Sequence, residues 1–180
     1  IDIAKKFIDT AKNFCNVKHI KFQKRNNKEL LSKEMYNAPH PNPENSYGET
    51  YGKHREHLEL DIHEHKELNE YCNRLNITYS CSVWDLTSAK EISALNPKYI
   101  KVPSATNCNF QLLEYLCENY QGQIHLSLGM TTKDEELRII GLFEDLNRLK
   151  DLVLYSCTSG YPVPFDDLFL LEIKRLSDAY

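Results

Sequence analysis

Lys21 and Lys101 stand inside short apolar stretches, Ile20-Lys21-Phe22 and Ile100-Lys101-Val102, where a solvated cation has no ordinary place. One such lysine reads equally well as a side chain reaching out past a strand end. Two of them, joined by Ser82, Ser104, Ser127 and Ser159 at the ends of comparable stretches, form a set of donors. Such a set suits an anion with several oxygens, most naturally phosphate. A phosphate or carboxylate ligand therefore outweighs a purely structural polar rim.

Other chemistries fit less well. The stretch His54-Arg55-Glu56-His57 and His63-Glu64-His65 resembles a metal site, but neither His-Glu-x-x-His nor His-x-x-Glu-His is present. A solvated helix face with partly buried histidines is the better reading, and Tyr51, His54 and Arg55 suit sugar or carboxylate contacts. No Gly-x-Ser-x-Gly elbow or Ser/His/Asp order appears, which removes the serine-hydrolase class. Trp84, the single tryptophan, sits just past a strand end, where it reads as a pocket wall or a rim aromatic.

The elements that must position these groups alternate. Apolar runs at 17–23, 77–83, 99–102, 123–128 and 152–156 read as strands. Helical periodicity marks 2–13, 58–75, 86–95, 110–119, 132–149 and 166–176. In the second helix Leu60, His63, Leu68, Tyr71, Cys72 and Leu75 face inward; Asp85 caps the third, and Thr131 or Thr132 the fifth. Residues 24–55, broken by Pro39, Pro41 and Pro43, form a long loop of the kind that carries binding groups. Five parallel strands alternating with six helices imply right-handed βαβ units, an incomplete (β/α)8-type barrel in one domain spanning 1–180. Opening on a helix implies a strand before it. No Gly-x-Gly-x-x-Gly turn follows any strand, against a dinucleotide fold.

Composition sets the remaining bounds. A net charge of −4 over 180 residues speaks against nucleic acid and acidic membrane surfaces. No apolar run reaches the ~20 residues of a membrane span, and the first residues lack the apolar core of a secretory signal. The six cysteines are scattered, without a CxxC pair, and read as reduced, mostly buried thiols. A cytoplasmic protein is the expectation.

The motifs then assemble in order. Lys21-Phe22-Gln23, the run from Asn45 to Arg55, Ser82-Val83-Trp84-Asp85, Lys101-Val102-Pro103-Ser104, Leu126-Ser127-Leu128-Gly129-Met130 and Cys157-Thr158-Ser159-Gly160-Tyr161-Pro162 resemble the successive signatures of the sialic acid synthases, the N-acetylneuraminate synthase family. The resemblance covers nearly the whole chain. It implies a (β/α)8 barrel that condenses phosphoenolpyruvate with an N-acetylated amino sugar such as N-acetylmannosamine or its 6-phosphate. The enol carbon adds to the sugar aldehyde, water captures the resulting cation, and phosphate leaves. On the same resemblance Lys21, Ser82, Lys101, Ser104, Ser127 and Ser159 bind phosphoenolpyruvate, while Gln23, Tyr161 and Asn45 face the sugar. No catalytic residue is assigned. A divalent metal, Mn2+ or Mg2+, is implied, with its ligands outside these residues, as is a homodimer in the full-length protein.

Departures from the family pattern matter too. The acidic residue expected two positions after the serine of Lys-x-x-Ser is Thr106, and a hydroxyl position in the Ser-x-Gly-Met motif is Leu128. The first-strand glutamate, the metal-binding histidines and the C-terminal antifreeze-like domain do not occur in the sequence. A degenerate barrel that binds a phosphorylated or sugar ligand, or a protein partner, without catalysis is the alternative. A barrel aldolase or phosphosugar isomerase shares the anion face but leaves the motif order unexplained.

Overall fold

The computed structural model describes residues 1–180. Five strands, β1 (His19–Lys24), β2 (Thr78–Val83), β3 (Tyr99–Val102), β4 (Gln123–Ser127) and β5 (Leu152–Tyr155), form one sheet in the order β1-β2-β3-β4-β5. Every neighbouring pair is parallel. Consecutive order with a crossover between neighbours is the arrangement that curls into a (β/α) barrel, and here it remains open between β1 and β5.

Nine α-helices accompany the strands: α1 (Asp2–Asn13), α2 (Asn27–Leu30), α3 (Lys33–Asn37), α4 (Tyr51–Leu58), α5 (Ile62–Arg74), α6 (Leu86–Ala94), α7 (Phe110–Asn119), α8 (Lys133–Asp145) and α9 (Leu171–Ala179). The six expected helices are thus too few. The excess lies in the stretch 24–55 expected as loop, which is broken into short helices rather than irregular. Each has its own cap: Asn26 Oδ1 accepts from Lys28 N, Ser32 Oγ from Met35 N, and Thr50 Oγ1 from Lys53 N. Polar caps every few residues start helices that the prolines then stop.

Two further expectations shift. α5 begins at Ile62, after a capping box in which Asp61 accepts from Glu64 N and the Glu64 carboxylate accepts from Asp61 N. That phase turns His65, Leu68 and Cys72 inward and leaves the expected His63 exposed. The helix expected over 166–176 begins only at Leu171, preceded by a 3-10 turn at Phe165–Asp167.

Strand alternation divides the sheet into two chemistries. Tyr79, Cys81, Val83, Ile100, Val102, Ile124 and Leu126 point to the helix side and are buried. There they meet Leu112, Leu113 and Leu116 of α7 and Ile139 and Phe143 of α8 in one core. Each such side chain contributes about 1.5–3 kcal/mol relative to exposure. Two polar contacts reach this side. Lys24 meets Glu91 at 3.0 Å. His65 Nδ1 lies 2.8 Å from the Tyr79 hydroxyl, with burial and then Lys24 pushing its pKa down to about 4.

The opposite face carries Lys21, Gln23, Ser80, Ser82, Tyr99, Lys101, His125, Ser127 and Tyr155. Register fixes their rows: Gln23 sits beside Ser82, Ser82 beside Lys101, and Lys101 beside His125. Helix ends repeat a device of their own. Asn16, Asn76, Asn96 and Asn147 adopt positive φ just after α1, α5, α6 and α8. Asparagine tolerates that left-handed conformation, which reverses the chain toward the next strand.

Candidate functional site

The C-terminal ends of the strands bring the predicted donors together in pairs. Lys21 Nζ on β1 donates to Ser82 Oγ on β2 at 3.1 Å. Lys101 Nζ on β3 donates to Ser127 Oγ on β4 at 2.5 Å and to the Val102 carbonyl at 3.2 Å. Neither lysine reaches a carboxylate within salt-bridge distance, so both ammonium groups keep charge to offer a ligand. Burial, with the charge of Lys21 adding to it, pulls the Lys101 pKa down to about 8. Lys101 therefore still carries its proton at neutral pH, and an arriving anion relieves its isolation.

Ser104 and Ser159 converge on Gly129. The Gly129 N–H donates to Ser104 Oγ at 3.2 Å. A Cβ at Gly129 would lie 2.6 Å from Ser104 Oγ and 2.8 Å from Ser159 Oγ, so only glycine lets both hydroxyls approach the backbone here. Asn107, which the sequence did not mark, braces this corner. Its buried amide donates to the Ser127 carbonyl at 2.9 Å and to Thr131 Oγ1 at 2.6 Å. The signal for it was weak, since an asparagine three residues past the Lys101–Ser104 motif reads as ordinary turn chemistry.

Gln23 lines a cavity of about 370 Å³ together with Lys21, Phe22, Arg25, Leu58, Glu59, Leu60 and Ser82. Arg25 and Glu59 are a second pair absent from the sequence reading. Arg25 Nε donates to Glu59 Oε1 at 2.5 Å, the Arg25 N–H to Glu59 Oε2 at 3.2 Å, and the guanidinium lies 5.6 Å from the Trp84 ring. Trp84 thus backs the arginine rather than lining the cavity.

The other two sugar-side candidates sit apart from this ring. Asn45 ends an exposed 3-10 turn at Pro43–Asn45, and Tyr161 is fully exposed on the segment after β5. Tyr51, His54 and Arg55 spend their hydrogen bonds on the loop itself. Arg55 Nη1 donates to the Tyr51 hydroxyl at 2.9 Å, and His54 Nδ1 accepts from the Tyr47 N–H at 3.2 Å. His54 stacks among His40, Tyr47 and Tyr51. Burial and then His40 lower its pKa, in keeping with a neutral ring that accepts.

Thr106, at the position where an acid was expected, has a buried hydroxyl with no partner. Leu128 packs against the core. All six cysteines are free; Cys72, Cys81 and Cys117 are buried, while Cys15 and Cys157 are exposed. No group of three or more His, Cys, Asp or Glu side chains is arranged to hold a metal ion. The strand-end donors are ammonium and hydroxyl groups, and Glu59 is taken by Arg25, so these residues do not fit a divalent metal. Ammonium and hydroxyl donors suit an anion rather than a cation. No helix is long and apolar enough to cross a membrane.

Comparison with known proteins gives a consistent pattern. The family model described as NeuB family matches residues 7–180. The N-acetylneuraminate-9-phosphate synthase of Mus musculus is 30% identical over 180 residues, covering 100% of this chain and 49% of that protein. The N,N'-diacetyllegionaminic acid synthase of Campylobacter jejuni is 29% identical over 181 residues, covering 100% of this chain and 54% of its own. Among solved structures, the N-acetylneuraminic acid synthetase of Leptospira borgpetersenii, crystallised in complex with citrate, superposes with a TM-score of 0.80 at 23% identity, over 99% of this chain and 56% of that one. The chain spans about half the length of the curated relatives it matches.

Proposed function

Since this chain belongs to the NeuB family, we propose that its strand-end face binds phosphoenolpyruvate and that the protein acts as a nonulosonic acid synthase. The reaction joins phosphoenolpyruvate to an N-acetylated amino sugar, N-acetylmannosamine or its 6-phosphate, and releases phosphate. One observation carries this reading: two lysines on alternate strands, each tied to a serine on the next strand and neither neutralised by a carboxylate. Point charges flanked by hydroxyls match a ligand with phosphate and carboxylate oxygens close together. Ser104, Ser159 and the Gly129 corner add hydroxyls to the same rim.

The residues divide the work by position. Lys101, buried more deeply, takes the ligand's main negative charge, and Lys21 joins that charge to the cavity beside Gln23. Gln23 orients the acceptor through its amide; Asn45 and Tyr161 are the further sugar contacts of this reading, on loops that stand apart from the cavity. Holding donor and acceptor on one rim of the sheet, across the ends of β1 to β3, turns a bimolecular encounter into a local one. The test is phosphate release by the protein with phosphoenolpyruvate and N-acetylmannosamine or its 6-phosphate. Release that needs both substrates is the expected result, and release unaffected by Lys101→Met would refute the assignment.

The second reading, ligand binding without condensation, is favoured by Thr106. Its buried hydroxyl stands where an acid would handle protons, and no free carboxylate meets the lysine and serine ring. Phosphoenolpyruvate binding that depends on Lys101, without phosphate release, selects this reading.

A further inference from the structure

We propose that Tyr155 and His125 form a positioning pair for Lys101: the Tyr155 ring carries the ammonium on its face, and His125, as a neutral imidazole, holds that ring in place. The proposal rests on reading Lys101 as an anion-binding group. Lys101 Nζ lies 5.2 Å from the Tyr155 ring centroid, inside the ~6 Å range of cation–π attraction. The Tyr155 hydroxyl is 2.7 Å from His125 Nδ1. The His125 ring stacks in turn on Tyr99, with centroids 4.3 Å apart and planes 24° apart. Register locks the set together, because Lys101 pairs with His125 and Ser127 with Tyr155.

The physical need for such a pair is specific. Burial and the Lys21 charge both disfavour the ammonium form of Lys101, and among neighbouring titratable groups only Cys157 works the other way. A carboxylate would restore the ammonium but would repel an anionic ligand. An aromatic face stabilises the cation without presenting a negative charge to the ligand, so Lys101 stays both protonated and unpaired.

His125 serves only while neutral, since a second cation beside Lys101 would undo the effect. Burial, then Lys101, then His19 lower its pKa. Its Nε2 is buried with no partner, which leaves the Nδ1 contact with Tyr155 as the ring's one polar tie. The groups that bear on the pair's pH behaviour are therefore Lys21, His19, Tyr99 and Cys157.

Competitive acetylation of lysines over a pH series, read by peptide mass spectrometry, gives the Lys101 titration midpoint without any ligand. Tyr155→Leu is expected to lower that midpoint by roughly one pH unit, from the usual size of a partly desolvated cation–π contact. Tyr155→Phe, which keeps the ring, and His125→Phe, which keeps the stack on Tyr99, are expected to lower it by less than half as much. An unchanged midpoint in Tyr155→Leu, or equal shifts in Tyr155→Leu and Tyr155→Phe, overturns the proposal. Should Tyr155→Leu fail to fold, Tyr155→Ile on the same strand edge takes its place in the comparison.

Calorimetric titration with phosphoenolpyruvate separates this proposal from the one it rests on. A roughly fivefold weaker affinity in Tyr155→Leu at pH 8, as a one-unit fall from a midpoint of about 8 dictates, with near-wild-type affinity at pH 6, is the expected pattern. If the wild type binds no phosphoenolpyruvate while the acetylation midpoints move as stated, the functional assignment fails and the positioning pair stands. If the wild type binds and the midpoints do not move, the positioning pair fails alone.

Discussion

Lys101 Nζ and Ser127 Oγ meet at 2.5 Å across the β3 and β4 ends, a cation held by a hydroxyl rather than by a carboxylate. The ammonium keeps its full charge, and its pKa of about 8 lies well below that of a free lysine through burial first and Lys21 second. Once the ligand's own phosphate ionisation (pKa about 6) is allowed for, phosphoenolpyruvate binding is expected to weaken as pH rises through about 8. Sign follows directly: the form that attracts the anion exists below the folded pKa. Calorimetry across that range checks it, and Lys101→Met should remove both the binding and its alkaline limb.

Gly129→Ala is expected to weaken anion binding at least tenfold. The added Cβ would meet the hydroxyls of Ser104 and Ser159 at 2.6 and 2.8 Å and push both aside. The overpacking should cost about 1–3 kcal/mol of stability. Thermal unfolding separates that cost from the binding loss, which Ser104→Ala should only partly reproduce.

Replacement of Asn107 by Ala removes the amide that joins the Ser127 carbonyl to Thr131. A buried carbonyl left without its donor costs about 1–3 kcal/mol. Chemical denaturation should show that loss. Ligand affinity should fall as well, because Asn107 fixes the backbone from which the Ser127 hydroxyl projects.

At the far end of the chain, Glu136 on α8 binds Arg175 of α9 through Nη1 at 3.1 Å and Nη2 at 2.6 Å, and accepts from the Tyr180 hydroxyl at 2.7 Å. Burial alone would raise its pKa, but the bonds from Arg175, Lys133 and Tyr180 outweigh it and hold the carboxyl down to about 2. A depressed carboxyl contributes stability above its unfolded value of 4.5 that is lost as pH falls toward about 2. Opening of α9, read by hydrogen exchange relative to each amide's intrinsic rate at that pH, should accelerate over that window. Glu136→Gln should show the same acceleration at neutral pH, with a loss of about 1–2 kcal/mol after allowance for the part-exposed arginine.

Much of this architecture is legible in the sequence, and the reason is periodicity. Tyr99 to Val102 is bounded by the same residues in sequence and structure, because apolar residues alternate with Lys101 between two turns. The pairing of Lys21 with Ser82 and of Lys101 with Ser127 follows once the strands are parallel and in order. What escapes is set by phase and by distant partners. His65 rather than His63 faces inward because the Asp61 cap sets where α5 starts counting. The short helices α2, α3 and α4 escape because they are made by caps rather than by an apolar stripe. His125 and Tyr155 read as strand residues like any others, since their meaning lies in a contact across β4 and β5.

The asparagines at positive φ after α1, α5, α6 and α8 all lie just before a strand begins. Parallel strands linked by helices put those reversals on the rim opposite the lysines and serines. Four of the five strands are entered through such a reversal, β4 being the exception, on the rim away from the residues proposed to bind the ligand. On the proposed function, substitutions that change ligand preference at the strand-end rim would leave those reversals untouched.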